Sequence, residues 1–463
     1  MSTRIWVLWV GFVWVGCTAE PKDGTPETVD SGVVEDSGDG GDSADSGEPP
    51  VSREVAPGIH RLDGLDLDLP VDDLAPLEGM LGDAQVVALG ESIHFSGGYH
   101  EVRARMIPYM VETMGMRVVA FEGPWGAAEG SRPYVERCEG ELRDAMVGLY
   151  FSVWQSPQTA HTLEWLCDWN TAHPDDPVSF FGFDIQQPWH DGPWLRRWLA
   201  DVHPEPEELL AGLEPCVAGG VDTEAAFWAS DDGLAYAAGS VPIPGLSERT
   251  GACVEGLGAV GAWLDDHEAE AAAARSADDV TLARVALVAI EAAHVEFAVG
   301  TADVAGWDAR DAGMADVFEL LWQERAGGQR AVIWAHNAHI VANGEDLRGS
   351  VYPAGWVDMG SILGDRLGEN YAPIGFIASE VAWSWPGMEG TGSARDGALE
   401  RVLEELGEPW LLVDLPVASA DGSVISPGEA YQAGHPARAT FVPADHYRGL
   451  VYLQSSPEME FWR

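Results

Sequence analysis

The chain has 463 residues, and 46% of them are hydrophobic, so it can bury a substantial core. Its 76 Asp and Glu residues against 25 Lys and Arg residues give a formal net charge of −51. This balance argues against binding to nucleic acid or to anionic lipid, because both need a basic surface. The charge by itself indicates solubility.

Residues 1–17 resemble the signal peptide of a bacterial lipoprotein. Arg4 precedes an apolar run at 5–15, which is too short to span a bilayer as a mature helix. The run ends in Gly16 and Cys17, a small residue before a cysteine as in a lipobox. We therefore expect an extracytoplasmic lipoprotein, periplasmic or on the cell surface, that meets the membrane only through a lipid on Cys17. The alternative is an ordinary signal peptide with a chance cysteine.

The next segment, residues 18–54, is a predicted disordered acidic linker. It consists mostly of Asp, Glu, Gly, Ser, Pro and Thr, and it has too few apolar residues to form a core. The folded body is expected to begin near Val55.

Strand and helix patterns alternate through the folded body. Strands at 85–89 and 117–121 flank a helix at 99–114, an order that predicts a βαβ unit with parallel strands. We predict a mixed, mostly parallel central sheet flanked by helices. The other predicted strands lie at 178–183, 331–335, 373–378, 410–415 and 449–453, and the other predicted helices at 70–81, 142–150 and 159–171.

The composition changes between residues 188 and 327, where Ala and Glu become frequent. Long helical patterns at 283–299 and 309–325 favour a mainly helical insertion over 188–327. The α/β catalytic core then consists of residues 55–187 and 328–463.

Four cysteines remain after the lipobox, and an even number in an exported chain permits two disulfides. Three pairings are possible. Proximity along the chain favours Cys138 with Cys167 and Cys216 with Cys253.

Ionisable side chains follow four of the predicted strands. Because parallel strands of one sheet bind ligands at their carboxyl ends, we expect these side chains to converge on one polar site. Buried carboxylates and imidazoles also need partners, which favours a shared site. The side chains are Glu91 and His94, Glu122, Asp184, and His336 with His339.

Several sequence blocks resemble the erythromycin esterase family. Residues 89–94 (LGESIH), with Arg103 beyond them, resemble its opening signature, and 334–339 (WAHNAH) resemble its most recognisable motif. The resemblance implies a mixed α/β fold with a helical insertion, and hydrolysis of the ester that closes a macrolide lactone. Further blocks occur in family order at 121–125, 181–184, 310–315, 359–360, 375–376 and 444–452.

The resemblance also implies roles for individual residues. His94 is the expected general base, since an imidazole can take a proton from water and return it to the leaving alkoxide. Water is activated without a metal, a cofactor or a covalent intermediate, and the expected partner is a small-molecule ester. The surrounding network consists of Glu91, Glu122, Arg103, Arg310, His336 and His339.

Within this network, Glu122 can fix the tautomer of the base or hold the water. Arg310, or a protonated His336 or His339, can face the carbonyl oxygen as negative charge develops on it. The sequence contains no Gly-x-Ser-x-Gly elbow, which argues against a serine hydrolase. Gly97 and Gly98, which follow the base, suggest a flexible rim.

Two other classes of function compete with hydrolysis. His94, Glu122, His336 and His339 are also suitable ligands for a transition metal. Folds similar to this family's include haem-binding lipoproteins, so the main alternative is an extracytoplasmic lipoprotein that binds a metal or haem. A binding protein whose site no longer turns over is the other alternative.

Overall fold

The computed structural model describes residues 53–217, 230, 244–300, 303–347, 353–385, 388–432 and 439–462. The predicted signal peptide, the lipobox at Cys17 and nearly all of the predicted linker lie outside these ranges. The first described strand begins at Glu54, one residue before the predicted start of the folded body.

A ten-stranded sheet runs through the described residues, and a separate two-stranded sheet consists of β10 and β11. The strands are β1 (Glu54–Ala56), β2 (Ile59–Arg61), β3 (Val86–Leu89), β4 (Val118–Pro124), β5 (Ser179–Asp184), β6 (Ala331–Trp334), β7 (Tyr371–Trp385), β8 (Met388–Ser393), β9 (Trp410–Asp414), β10 (Tyr431–Gln432), β11 (Thr440–Phe441) and β12 (Gly449–Ser456). The order is β1-β2-β9-β12-β7-β3-β6-β4-β5, with β8 paired to β7. The six strands from β12 to β5 are parallel, so the predicted mixed, mostly parallel sheet is confirmed.

Helices cover the sheet. They are α1 (Pro76–Leu81), α2 (Gly97–Glu112), α3 (Trp125–Ala128), α4 (Arg132–Arg137), α5 (Leu142–Gly148), α6 (Pro157–Ala172), α7 (Pro188–Val202), α8 (Glu207–Gly212), α9 (Pro244–Ala274), α10 (Ala277–Val299), α11 (Val304–Leu320), α12 (Asn337–Ile340), α13 (Met359–Leu367), α14 (Leu399–Glu404), α15 (Leu415–Asp421) and α16 (Pro443–His446). No helix in the described ranges combines the length and apolar character needed to cross a bilayer.

The central strands are buried on both faces, as is usual for parallel strands. Val86 and Ala88 of β3 face one core cluster, which includes residues of the helices between 188 and 325. Val87 and Leu89 face the other cluster, with residues of α2 and α6. This alternation follows the two-residue period of a strand.

All secondary structure described between Pro188 and Arg325 is helical. It comprises α7 to α11, a 3-10 turn at Glu214–Cys216 and a π turn at Leu321–Arg325. The division into core and insertion remains a prediction.

One feature of the strand order, the position of β6, cannot be predicted from local sequence patterns. The strand β6 lies between β3 and β4, with Ile333 in register with both Ala88 and Ala120. The two strands of the predicted βαβ unit are therefore parallel but not adjacent. As a result, the histidine motif after β6 lies between Glu91 and Glu122.

Other differences from the predictions have local causes. The helix expected at 70–81 is a 3-10 turn at Asp72–Leu74 followed by α1, which has Pro76 in its first turn. Proline lacks an N–H, so it suits the start of a helix better than its interior. The helix α2 runs through Pro108.

Both predicted disulfides are confirmed. Cys138 pairs with Cys167 and Cys216 with Cys253, at Cα–Cα distances of 5.1 and 4.7 Å. The first joins the end of α4 to α6, and the second joins the turn after α8 to α9.

Candidate active site

Four neighbouring parallel strands end in buried ionisable side chains. Glu91 follows β3, His336 follows β6, Glu122 lies near the end of β4, and Asp184 is the last residue of β5. Their exposed fractions are 0%, 6%, 4% and 0% in that order. The sheet thus brings these side chains together at the carboxyl ends of its strands, where ligands bind in sheets of this type.

Gly90 allows the first two of these strands to end close together. A Cβ atom at this position would collide with the side chain of Asn337. The Asn337 amide in turn bonds both the N–H and the C=O of Phe376, at 3.1 and 2.9 Å. The glycine in the opening motif therefore makes room for Asn337, which links the chain after β6 to the interior of β7.

Glu91 is the centre of the first half of the site. Its Oε1 lies 2.5 Å from Nδ1 of His94, and its Oε2 accepts a hydrogen bond from Nη2 of Arg103 at 2.5 Å. Burial alone would raise the pKa of Glu91, but the charge of Arg103 and the contact with His94 hold it well below its usual range. Glu91 is therefore an anion, and the guanidinium of Arg103 is held 4.0 Å above the ring of Trp334.

His94 is the part of this half that reaches the surface, with 15% of its side chain exposed. Burial lowers its pKa, but the hydrogen bond and charge of Glu91 outweigh this effect and raise the pKa above its ordinary value. In the described part of the chain, no side chain hydrogen-bonds Nε2. With its proton on Nδ1 toward Glu91, the ring offers the Nε2 lone pair to a proton donor.

The second half of the site is built around Arg310 of α11. Its Nη2 donates to Oε1 of Glu122 at 2.9 Å and to Oδ2 of Asp184 at 2.5 Å. Burial raises the pKa of Glu122, but its contacts with His339 and Arg310 bring it down to about 2. A helix outside the sheet thus supplies the cation that pairs with two buried carboxylates.

His336 is held by the backbone on both ring nitrogens. Its Nδ1 accepts from the N–H of Ala338 at 3.1 Å, and its Nε2 donates to the C=O of Ser92 at 3.2 Å. Burial lowers the pKa of His336 to about 3. These contacts describe a neutral ring, so they do not support a protonated His336 facing an oxyanion. Its ring centroid lies 5.0 Å from that of His94.

His339 joins Arg310 to a second carboxylate. Its Nε2 accepts from Nη1 of Arg310 at 2.7 Å, and its Nδ1 donates to Oδ1 of Asp311 at 2.7 Å. Asp311 is itself held by Trp356, whose Nε1 donates to Oδ2 at 3.1 Å. The Arg310-Asp311 pair therefore contacts both nitrogens of one histidine.

The alternative set of metal ligands does not converge on one point. No three His, Cys, Asp or Glu side chains of the described residues are placed to hold a metal ion. The prediction of His94, Glu122, His336 and His339 as joint ligands therefore gains no support from this geometry and stays a prediction. The physical reason is that Arg310 contacts Glu122 and His339, while the backbone contacts both nitrogens of His336.

All seven predicted site residues lie in these two halves. The hydrogen bond from His336 to the backbone of Ser92 connects them. Sequence reasoning missed the buried His100, whose Nε2 lies 3.8 Å from Glu91. Its spacing of three residues from Arg103 on one helix is the signal that could have identified it.

The fold and this histidine–carboxylate–arginine site define an α/β protein with a candidate hydrolytic centre at the ends of parallel strands. The sequence profile of the erythromycin esterase family matches residues 111–455. The chain belongs to the erythromycin esterase family.

Curated relatives match shorter segments. The putative hydrolase YbfO of Bacillus subtilis (strain 168) is 28% identical over 143 residues, which are 31% of this chain and 31% of that protein. Erythromycin esterase type II of Escherichia coli is 32% identical over 115 residues, or 25% of this chain and 26% of that protein. The match thus spans less than a third of either relative. Family membership and these names support a hydrolase.

Solved structures resemble the whole described fold. A protein of Bacillus cereus superimposes with a TM-score of 0.68 at 18% identity, covering 87% of this chain and 96% of that one. A succinoglycan biosynthesis protein gives 0.64 at 19% identity, with coverage of 87% and 96%. A mutant of the erythromycin esterase EreC in its open conformation gives 0.64 at 16% identity, with coverage of 87% and 98%. At these identities the likeness concerns the fold.

Proposed function

We propose that this protein hydrolyses a lactone or another carboxylic ester of the macrolide type, with His94 as the general base. The observation that carries the proposal is the direction of the imidazole. Its Nδ1 lies 2.5 Å from Oε1 of Glu91, so Nε2 is the ring nitrogen left for a substrate water. The His94 side chain is 15% exposed. An anion behind the ring stabilises the imidazolium that forms when Nε2 takes a proton.

The reaction proceeds in two steps. Nε2 of His94 removes a proton from water while the water oxygen attacks the ester carbonyl, which forms a tetrahedral oxyanion. When this intermediate collapses, the C–O bond to the alcohol breaks and His94 returns the proton to the alkoxide. The products are a carboxylic acid and an alcohol, which in a lactone are the two ends of one opened ring.

Arg310 is the cation of the network that can face the oxyanion. It keeps 11% of its side chain exposed although it contacts two carboxylates, whereas Arg103 is fully buried. The role of a charge aimed at the developing oxyanion is electrostatic stabilisation of the transition state. Glu122, His336 and His339 hold Arg310 and the strand ends in place.

The test is a hydrolysis screen with macrolides, simple lactones and linear esters, read by the mass gained when one water adds. We expect turnover by the purified protein and its loss in His94→Asn, with folding unchanged. The matched control is His173→Asn, because His173 is exposed and stacks on Trp169. Turnover retained in His94→Asn would refute the general base. Stoichiometric bound metal with chelator-sensitive turnover would instead favour the metal-dependent alternative.

We also propose that the protein is an extracytoplasmic lipoprotein held at the membrane by a lipid on Cys17. The support is the apolar run at 5–15 followed by Gly16 and Cys17. Metabolic labelling with a fatty-acid analogue should mark the wild type and leave Cys17→Ala unlabelled and released from the membrane fraction. Equal labelling of both proteins would refute lipidation at Cys17.

A further inference from the structure

The segment Ser456–Trp462, called here the C-terminal segment, pairs with the loop that directly follows His94. The N–H of Gly97 donates to the C=O of Pro457 at 2.7 Å, and the N–H of Met459 donates to the C=O of Phe95 at 2.9 Å. These two bonds flank a bridge between Ser96 and Glu458. The loop behind the proposed base is therefore the partner of a short antiparallel pairing.

Side chains tighten this pairing. The hydroxyl of Ser456 bonds that of Ser96 at 2.7 Å and accepts from the N–H of Gly98 at 3.1 Å. A Cβ atom on Gly98 would lie 2.8 Å from the Ser456 hydroxyl, and one on Gly97 would lie 3.0 Å from the carbonyl of Glu458. The two glycines thus permit close approach between this loop and the C-terminal segment, at the place where the sequence suggested a flexible rim.

Phe95 has an unusual backbone at the centre of this contact. Its φ is 64°, in the left-handed region that a bulky side chain seldom occupies. Such a conformation costs about 1–3 kcal/mol and persists only where the surroundings impose it. Here the surroundings include the bond from Met459 and the ring of Phe461, whose centroid lies 6.2 Å from that of Phe95.

The turn at Phe95 determines how the chain passes from His94 into α2. That helix carries Arg103, which bonds the same carboxylate of Glu91 that contacts His94. If Phe95 relaxed to a negative φ, the direction of the chain would change between the base and the helix that holds its partner.

We propose that the C-terminal segment is a positioning element for His94, which it orients by holding Phe95 in the left-handed conformation. The catalytic meaning of this role rests on the proposed hydrolysis. The positioning itself does not, because it concerns the contact between His94 and Glu91.

The experiment compares two variants of the full-length protein. Phe461→Ala removes the ring that packs on Phe95. Trp462→Ala is the matched control, because Trp462 lies in the same segment but faces Arg143, whose guanidinium is 5.7 Å from its ring. The titration of His94 is followed by NMR of its imidazole, and turnover is measured in parallel.

We expect Phe461→Ala to move the pKa of His94 toward its ordinary value, since the contact with Glu91 loosens. We also expect kcat to fall by about tenfold to a hundredfold with little change in KM, because misplaced groups lose rate more than binding. In Trp462→Ala the pKa of His94 and kcat should both stay at their wild-type values. Equal behaviour of the two variants would overturn the proposal.

A double-mutant cycle separates positioning from general loss of stability. Glycine adopts a positive φ without strain, so in a Phe95→Gly background the further change Phe461→Ala should have little added effect on the His94 titration. Full additivity would contradict the proposal.

Should Phe461→Ala fail to fold, Ser456→Ala replaces it. An unchanged imidazole titration refutes positioning, whereas absence of turnover in the wild type refutes only the hydrolysis.

Discussion

Nδ1 of His94 lies 2.5 Å from Oε1 of Glu91, and the other oxygen of that carboxylate contacts Arg103 at 2.5 Å. Glu91 therefore stands between the proposed base and a fully buried guanidinium. The carboxylate raises the pKa of His94, which makes the ring a stronger base and also keeps it protonated to a higher pH. The contact between Glu91 and His94 should therefore set how the activity depends on pH.

The first prediction concerns this link. Since His94 must be neutral to accept a proton, kcat/KM should rise with pH through an apparent pKa above the ordinary 6.5 of histidine. In Glu91→Gln the carboxylate charge is lost, so the acidic limb should move to lower pH. The measurement is kcat/KM against pH for both proteins.

The control for that shift is Glu112→Gln, because Glu112 is an exposed residue of α2. It should leave the acidic limb unchanged. An acidic limb at the same pH in Glu91→Gln and wild type would argue against His94 as the titrating base. Glu91→Gln also leaves Arg103 without its anion, so unfolding by urea should be measured alongside.

The second prediction concerns Arg310. Replacing it with Gln leaves Glu122 and Asp184 buried without their cation, which should lower the free energy of unfolding by about 3–5 kcal/mol at pH 7. The loss should be smaller at pH 5, because the charge of Arg310 lowers the pKa of Glu122 and without it Glu122 protonates more readily. Urea unfolding at the two pH values checks this expectation.

A surface arginine provides the comparison. Arg366 pairs with Asp316 and Glu319 but is 39% exposed. Arg366→Gln should cost less than about 1 kcal/mol at either pH. Equal losses for Arg310→Gln and Arg366→Gln would mean that the buried pairs contribute no more than surface pairs.

The third prediction concerns Glu296 of α10, which is 3% exposed and accepts a hydrogen bond from Gln186 at 2.7 Å. Burial raises its pKa to about 8, Asp184 adds to the shift and Arg310 opposes it. A raised pKa means that the folded protein binds this proton more tightly than the unfolded chain. The stabilisation is therefore complete below the ordinary pKa of 4.5 and is lost as pH rises through about 8.

Glu296→Gln cannot ionise and can still accept the bond from Gln186. Relative to wild type it should therefore gain stability between pH 5 and pH 8.5, by on the order of a few kcal/mol. Thermal unfolding across this range measures the difference, and Glu291→Gln, an exposed residue of the same helix, is the control. A difference between Glu296→Gln and wild type that does not change with pH would refute the raised pKa.

The fourth prediction concerns the disulfide between Cys216 and Cys253, which spans 37 residues and is fully buried. Replacing both cysteines with Ala should lower the free energy of unfolding by about 2–4 kcal/mol, mainly because the unfolded chain gains freedom. In this double variant, a reductant should cause no further loss of stability at this loop. Wild-type stability in the double variant would show that packing alone holds the turn after α8 against α9.

Much of the site could be predicted from short stretches of sequence. The apolar run before Gly90 identified β3, and the motif after β6 identified His336 and His339. These predictions succeed because a strand and its end are set by neighbouring residues. The missed helix residue His100 lies in a helix whose pattern is apolar, and its closeness to Glu91 depends on how α2 packs.

By itself, the sequence determined the class of fold and the strand ends that carry ionisable groups, and it favoured the pairing of nearby cysteines. The tertiary structure decided the rest: the place of β6 between β3 and β4, the reach of Arg310 to a carboxylate 188 residues away and the hold of the C-terminal segment on Phe95. The physical reason is that these contacts join residues far apart in the chain. Local periodicity reports which face of an element is buried, whereas packing selects the partner that covers it.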